Sequence, residues 1–270
     1  MDKLIRGLRN FQTQYFCQHR ELFEQLAHGQ KPRVLFIACS DSRVDPNIIT
    51  QTDIGDLFII RNAGNIVPPY GSTNGGEGAS IEYAIHALNI EHVVICGHTH
   101  CGAMKGLLKL DSIRDTMPLV CDWLKHAEAT RRLIHENYST LEGEELEDLT
   151  VAENVLTQIE NLKTYPIIHS RLSQRKIQLH AWVYNIETGM VMTYDPEAHG
   201  FTPVNDEHPI CSIEFTPTET PFLQKQPTQA AFLQKQPTQA APQANKPVYE
   251  SSWLPPEQLE RIYRGSASRR

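Results

Sequence analysis

The rhythm of hydrophobic positions changes several times along the chain. Leu4, Leu8, Phe11 and Tyr15 recur at helical spacing, and Leu22, Phe23 and Leu26 form a second short stretch, so one or two amphipathic N-terminal helices are expected. "RVLFIAC" (33–39) is then an unbroken apolar run ending in polar residues, the pattern of a parallel strand buried on both faces. "DLFIIRN" (56–62) and "HVVICG" (92–97) share that character. Between them "GGEGASIEYAIHALN" (75–89) returns to a helical period through Ile81, Ala84, Ile85 and Leu88. Longer helices are expected at about 118–138 and 145–163, and "KIQLHAWVYNIETGMVMTYD" (176–195) reads as a strand pair turning at "ETG". Strand alternating with helix predicts an α/β fold: a central, mostly parallel sheet with right-handed crossovers, flanked by helices and preceded by a helical arm.

From residue 203 the pattern dissolves. "FLQKQPTQAA" at 222–231 is repeated unchanged at 232–241 among Pro, Gln and Thr, a composition that cannot build a core and is expected to be a largely disordered linker. Order-forming residues return in "SSWLPPEQLERIYRG" (251–265), where Trp253, Leu254, Leu259, Ile262 and Tyr263 form a compact apolar set. A spacer has no need of them. A short docking peptide on a flexible tether is the favoured reading, a tail packing back on its own domain the alternative. Four segments follow: an arm at 1–30, an α/β domain at 31–202, a linker at 203–250 and a docking peptide at 251–270.

Bulk composition narrows the setting. A net charge of −7 and a pI near 5.9 give no reason to expect a nucleic-acid or anionic membrane partner. No run of 18 apolar residues is present, so no transmembrane helix is expected, and the start lacks the apolar core of a secretory signal. Cysteines at 17, 39, 96, 101, 121 and 211 are too scattered for a disulfide framework, so a cytoplasmic chain is expected, with reduced thiols, some of them metal ligands.

In open parallel sheets, ligands gather at the carboxyl ends of the strands. Cys39 closes the first strand. His98 follows the third, and Cys101 comes three residues later. Together they offer two sulfurs and a nitrogen for one zinc ion per chain, and three protein ligands with an exchangeable position is the catalytic arrangement. Cys96 lies inside an apolar run and reads as a core thiol. His100 should point to a different side. Asp41 is the candidate for a fourth ligand or for orienting a reacting water, since two thiolates cancel the charge of zinc and leave it less able to acidify water alone. Arg43 can hold Asp41 ionised through a charge-assisted bond. As an exposed ion pair the two would be worth little, but their place beside Cys39 favours the catalytic role.

The stretches "CSDSRVD" (39–45), "RNAGN" (61–65), "GGEGASIEYA" (75–84) and "CGHTHCGAMKG" (96–106) resemble the β-class carbonic anhydrases over roughly residues 1–200. "WLPPEQLERIYRG" resembles the C-terminal extension of the cyanobacterial carboxysomal members. The resemblance implies zinc-dependent conversion of CO₂ to bicarbonate and a proton by attack of zinc-bound hydroxide. It also implies dimers or multiples of dimers clasped by the N-terminal helices, and a tail bound to carboxysomal scaffold, so that CO₂ reaches Rubisco. Phe58, Ala63 and Tyr83 are implied as the apolar CO₂ pocket, with Gln30 as an amide donor. In the family the aspartate can instead close the zinc site, and some members hold that state with a tryptophan three residues before the first cysteine ligand. Phe36 stands there, so an open, plant-like site is expected. No histidine is singled out as a proton shuttle. Hydrolysis of carbon disulfide or carbonyl sulfide is the alternative chemistry, and a non-catalytic assembly protein the alternative class; the Asp41–Arg43 pair argues against the latter. A thiol redox enzyme is disfavoured because no Cys-x-x-Cys is present.

Overall fold

Unbroken apolar runs predict burial on both faces; the first and third of them lie in the interior of the sheet, while the second, with Arg61 exposed, forms its edge. In the computed structural model, which describes residues 1–73 and 75–204, β1 (Val34–Cys39) lies between β2 (Leu57–Asn62) and β3 (His92–His98), all parallel. β4 (Gln178–Tyr184) extends the parallel set beside β3. β5 (Val191–Asp195) and β6 (Gly200–Pro203) then add on antiparallel, giving the order β2-β1-β3-β4-β5-β6. The strand pair anticipated at 176–195 is β4 and β5. β6 is a strand that the pattern did not suggest, because "GFTP" is too short to show alternation.

The arm contains α1 (Asp2–Asn10), a π-helical turn at Phe11–Tyr15, α2 (Phe16–Gln18) and α3 (Arg20–Leu26). None of its residues is buried: Leu4 and Leu8 are each 64% exposed, and Phe11 and Phe16 pack chiefly on Phe23. α4 (Pro46–Thr50) starts where Asp45 accepts hydrogen bonds from the amides of Asn47 and Ile48, with Pro46 in the first turn, a strong local start signal. α5 (Gly76–His86) connects β2 to β3. After β3 come α6 (Gly102–Leu108), α7 (Leu110–Ile113), α8 (Pro118–Leu124) and α9 (Glu128–Asn137). The single helix expected at 118–138 is thus two, joined by a 3₁₀ turn at Lys125–Ala127. α10 (Gly143–Lys163) and α11 (Pro166–Ser173) complete the crossover to β4.

The two faces of the sheet are covered unequally. Leu35, Ile37, Val93 and Ile95 bury against Ile81 and Ile85 of α5, Val155 and Leu162 of α10, and Ile168 of α11. Packing there is close: a Cβ on Gly97 would lie 2.7 Å from Val155 Cγ2 and 2.8 Å from Val151 Cγ1, so α10 rests directly on the end of β3. The other face holds Phe36, Ala38, Val94 and Cys96 at its centre, flanked by half-buried Val34, Ile59, Trp182 and Tyr184. Among the described residues no helix is long and apolar enough to cross a membrane, and no cysteine is in a disulfide. The linker at 203–250 and the docking peptide at 251–270 lie outside the described residues, apart from positions 203 and 204.

Candidate metal centre

Adjacent strands bring their carboxyl ends together, which joins two distant pieces of sequence. Cys39 ends β1, His98 ends the neighbouring β3, and Cys101 caps the start of α6. Their ligand atoms lie within 4.8 Å of one another and all three residues are buried. His98 Nδ1 is 2.9 Å from the carbonyl oxygen of Thr99. A carbonyl only accepts, so Nδ1 carries the proton and Nε2 presents a lone pair. That Nε2 is fully buried and has no hydrogen-bond partner. An unsatisfied buried acceptor costs about 1–3 kcal/mol, and this one sits between two sulfurs.

The sulfurs are prepared for the same purpose. The thiol of Cys39 is drawn down to about 4, first by its hydrogen bond with Cys101 and also by the amide of Gly64, against the burial that pushes it up. The same bond and burial push Cys101 upward. Two sulfurs and an imidazole Nε2, with the other ring nitrogen fixed by a carbonyl, are a donor set that suits zinc.

Asp41 stands beside this centre but is not part of the ligand group. Arg43 grips it with both ends of its guanidinium, Nε to Oδ1 at 2.9 Å and Nη2 to Oδ2 at 2.7 Å, while the Arg43 amide adds a third bond at 3.0 Å. The Arg43 side chain, followed by its amide, holds the Asp41 carboxyl well below the usual carboxylate range. Asp41 Oδ2 lies 4.0 Å from His98 Nε2. Arg43 Nη2 also donates to the carbonyl of His100 at 3.2 Å, tying the loop after β1 to the loop after β3.

Cys96 is fully buried, faces the Phe36 side of the sheet, and is pushed up to about 12 by burial, a core thiol as anticipated. The His100 ring turns to Glu187 and Glu144, 3.2 and 3.4 Å away. Its carbonyl, however, is the one Arg43 uses, and its backbone adopts a φ of 56°.

Two contributors escaped the sequence reading. Arg61 donates to the carbonyls of Cys39 (3.0 Å) and Asp41 (2.7 Å), pinning the turn between them. Gly64 donates its amide to Cys39 Sγ at 3.4 Å. Both fall within "RNAGN", which spans the last two residues of β2 and the loop after it, and a polar cluster at that place was the available signal.

The anticipated substrate residues divide. Ala63 lies beside the centre, one residue before Gly64, and lines a cavity of about 280 Å³ with Asn62, Glu77, Leu119, Val120 and Trp123. Phe58 and Tyr83 face each other at 6.1 Å, but Phe58 pairs with Leu35, four residues before Cys39 on β1. At the usual rise that is roughly 13 Å down the sheet. Gln30 is exposed and lies four residues ahead of β1. The structure brings Cys39, His98, Cys101, Asp41, Arg43 and Ala63 together. Within one chain it does not bring Gln30, Phe58 or Tyr83 to them.

Comparison with known proteins places the arrangement. The carbonic anhydrase family model matches residues 34–191. A carbonic anhydrase of Synechococcus elongatus is 55% identical, over 99% of this chain and 100% of its own. The solved β-carbonic anhydrase CcaA is 63% identical with a TM-score of 0.75, covering 75% of this chain and 98% of that one. One of the tetrameric β-carbonic anhydrases from Sordaria macrospora is 28% identical with a TM-score of 0.62, covering 71% and 95%. With the match running from β1 to the start of β5 and the buried Cys39–His98–Cys101 cluster at its carboxyl edge, the chain belongs to the carbonic anhydrases, in their β class.

Proposed function

We propose that this carbonic anhydrase works with one zinc ion per chain, held by Cys39 Sγ, His98 Nε2 and Cys101 Sγ. The observation that carries the reading is His98 Nε2, a buried lone pair between two sulfurs with no protein partner. Zinc bound there supplies the Lewis acidity that makes water a nucleophile near neutral pH. Two thiolates neutralise much of the ion's charge, which gives Asp41 its task. Its carboxylate accepts a hydrogen bond from the attacking water and aims the lone pair at CO₂. Arg43 keeps Asp41 ionised and, through the His100 carbonyl, holds the two loops at a fixed separation. For Asp41 to enter the ligand set through Oδ2 it would give up its bond to Arg43 Nη2, so the pair would act as a gate.

Ala63 forms one wall of the CO₂ pocket, and Phe58, Tyr83 and the Gln30 amide supply the rest from a second copy of the chain. Support comes from the roughly 13 Å between the register position of Phe58 and Cys39 within one chain, the half-exposed Tyr83, and the uncovered apolar side chains of the arm. Assembly is therefore a dimer or a multiple of dimers. The apolar set in 251–265, on its duplicated tether, docks on carboxysomal scaffold and places CO₂ release beside Rubisco in the cytoplasm.

Stopped-flow CO₂ hydration with zinc quantification tests the catalytic reading: about one zinc per chain with hydration is expected, and zinc without hydration would leave the assembly-protein alternative. Removing residues 251–270 should preserve hydration and abolish co-sedimentation with the scaffold. Loss of hydration would mean the tail is structural.

A further inference from the structure

The amide of Gly64 that reaches Cys39 Sγ belongs to a peptide unit held at its far end. The carbonyl of that same unit, Ala63 O, accepts a hydrogen bond from Trp123 Nε1 at 2.8 Å, across 60 residues of sequence from α8. The next carbonyl, Gly64 O, accepts from the buried Asn154 Nδ2 at 3.1 Å, and Gln158 Nε2 holds Asn154 Oδ1 at 2.8 Å. Gly64 itself has φ 81°, and a Cβ there would lie 2.9 Å from Met104 Cε and 3.1 Å from Ala103 Cβ. Only glycine fits this backbone and this space. A donor on a carbonyl polarises the whole amide and strengthens the N–H at its other end. Indole N–H, peptide and thiolate therefore form one continuous chain of hydrogen bonds ending on a ligand atom.

We propose that Trp123 is a positioning residue for the metal centre: acting through the Ala63–Gly64 peptide, it aims and polarises the N–H that bonds Cys39 Sγ. This rests on the zinc site proposed above. The bond draws electron density from one of the two thiolates, so more positive charge stays on the metal than two unassisted thiolates would leave. Asn154 fixes the adjoining peptide so that the Gly64 N–H cannot swing away.

The test uses the full chain with 3-benzothienylalanine at position 123 alone, an isostere whose sulfur replaces the indole N–H. Trp123→Phe is the companion variant should the isostere misfold, and the same isostere at Trp182 is the control, since Trp182 Nε1 is buried without a partner. Each protein is loaded with cobalt(II), which reports thiolate donation as a near-ultraviolet charge-transfer band, and separately with zinc for release to a chelator. Both position-123 variants should bind one metal, show the band at lower energy, and release zinc about tenfold faster than the native chain. The Trp182 isostere should match the native chain. An unmoved band and an unchanged release rate in the position-123 variants would overturn the proposal. Failure of the native chain itself to take up metal would instead overturn the zinc reading on which it rests.

Discussion

Cys39 and Phe58 sit on neighbouring strands, yet their surroundings differ as a core differs from a rim. Around Cys39 the candidate ligands are buried, the loops are cross-tied by Arg43 and Arg61, and His98 Nε2 is a buried polar atom without a hydrogen-bond partner. Around Phe58 the neighbour is Tyr83, half exposed, and Gln30 lies in solvent. One chain therefore pre-organises everything that would hold and tune a metal, and leaves unburied the side chains that would face a small apolar substrate. The division teaches which half of the site folding alone can build and which half waits for another surface.

Mutations at the two ends should separate cleanly, beginning with the buried one. Cys101→Ala is expected to lose zinc and take hydration to background, measured by metal content and stopped flow; metal retained at native stoichiometry would show that the ligand set is wrong. Asp41→Asn should keep zinc but lower kcat/KM by about 10²–10⁴-fold, the usual worth of a positioned proton acceptor. If the pair were merely an exposed ion bridge, the change would be negligible. Phe58→Ala should leave metal content untouched and lower kcat/KM roughly tenfold. Co-assembly of Phe58→Ala chains with Cys101→Ala chains should then recover native-like sites, because each supplies the half the other lacks. No recovery in the mixed assemblies would place the pocket within one chain. Smallest of all, Cys96→Ala should cost about 1 kcal/mol in thermal or denaturant unfolding and keep its zinc, as should His100→Ala.

The same contrast explains what the sequence made legible. β1 and β3 were readable because strands buried on both faces demand unbroken apolar runs, and Cys39 and His98 fall at their ends; the edge strand β2 carries a similar apolar run. The two thiols of "CGHTHC" were separable because Cys96 lies inside the run, in the core, and Cys101 beyond it, within reach of Cys39 and His98. The polar ridge of α10 was not readable. Asn154, Gln158 and Asn161 recur at helical spacing and look like a solvated face, but their partners are backbone atoms of the loop after β2: Gly64 O, Val67 N and Val67 O. Backbone partners about 90 residues away leave no mark on side-chain patterning. The break between α8 and α9 was missed for a related reason, since helical periodicity continues across a single 3₁₀ turn. Trp123 was not singled out, though its indole reaches Ala63.

Hydration is predicted to depend on an ion at Cys39, His98 and Cys101. Chelation of the purified full chain, followed by stepwise return of zinc, tests it directly with hydration and metal content read on the same samples. Activity should vanish with the metal and return in proportion to zinc, reaching its plateau at one ion per chain. Hydration that persists in metal-free protein, or a plateau of bound zinc with no hydration, would contradict it.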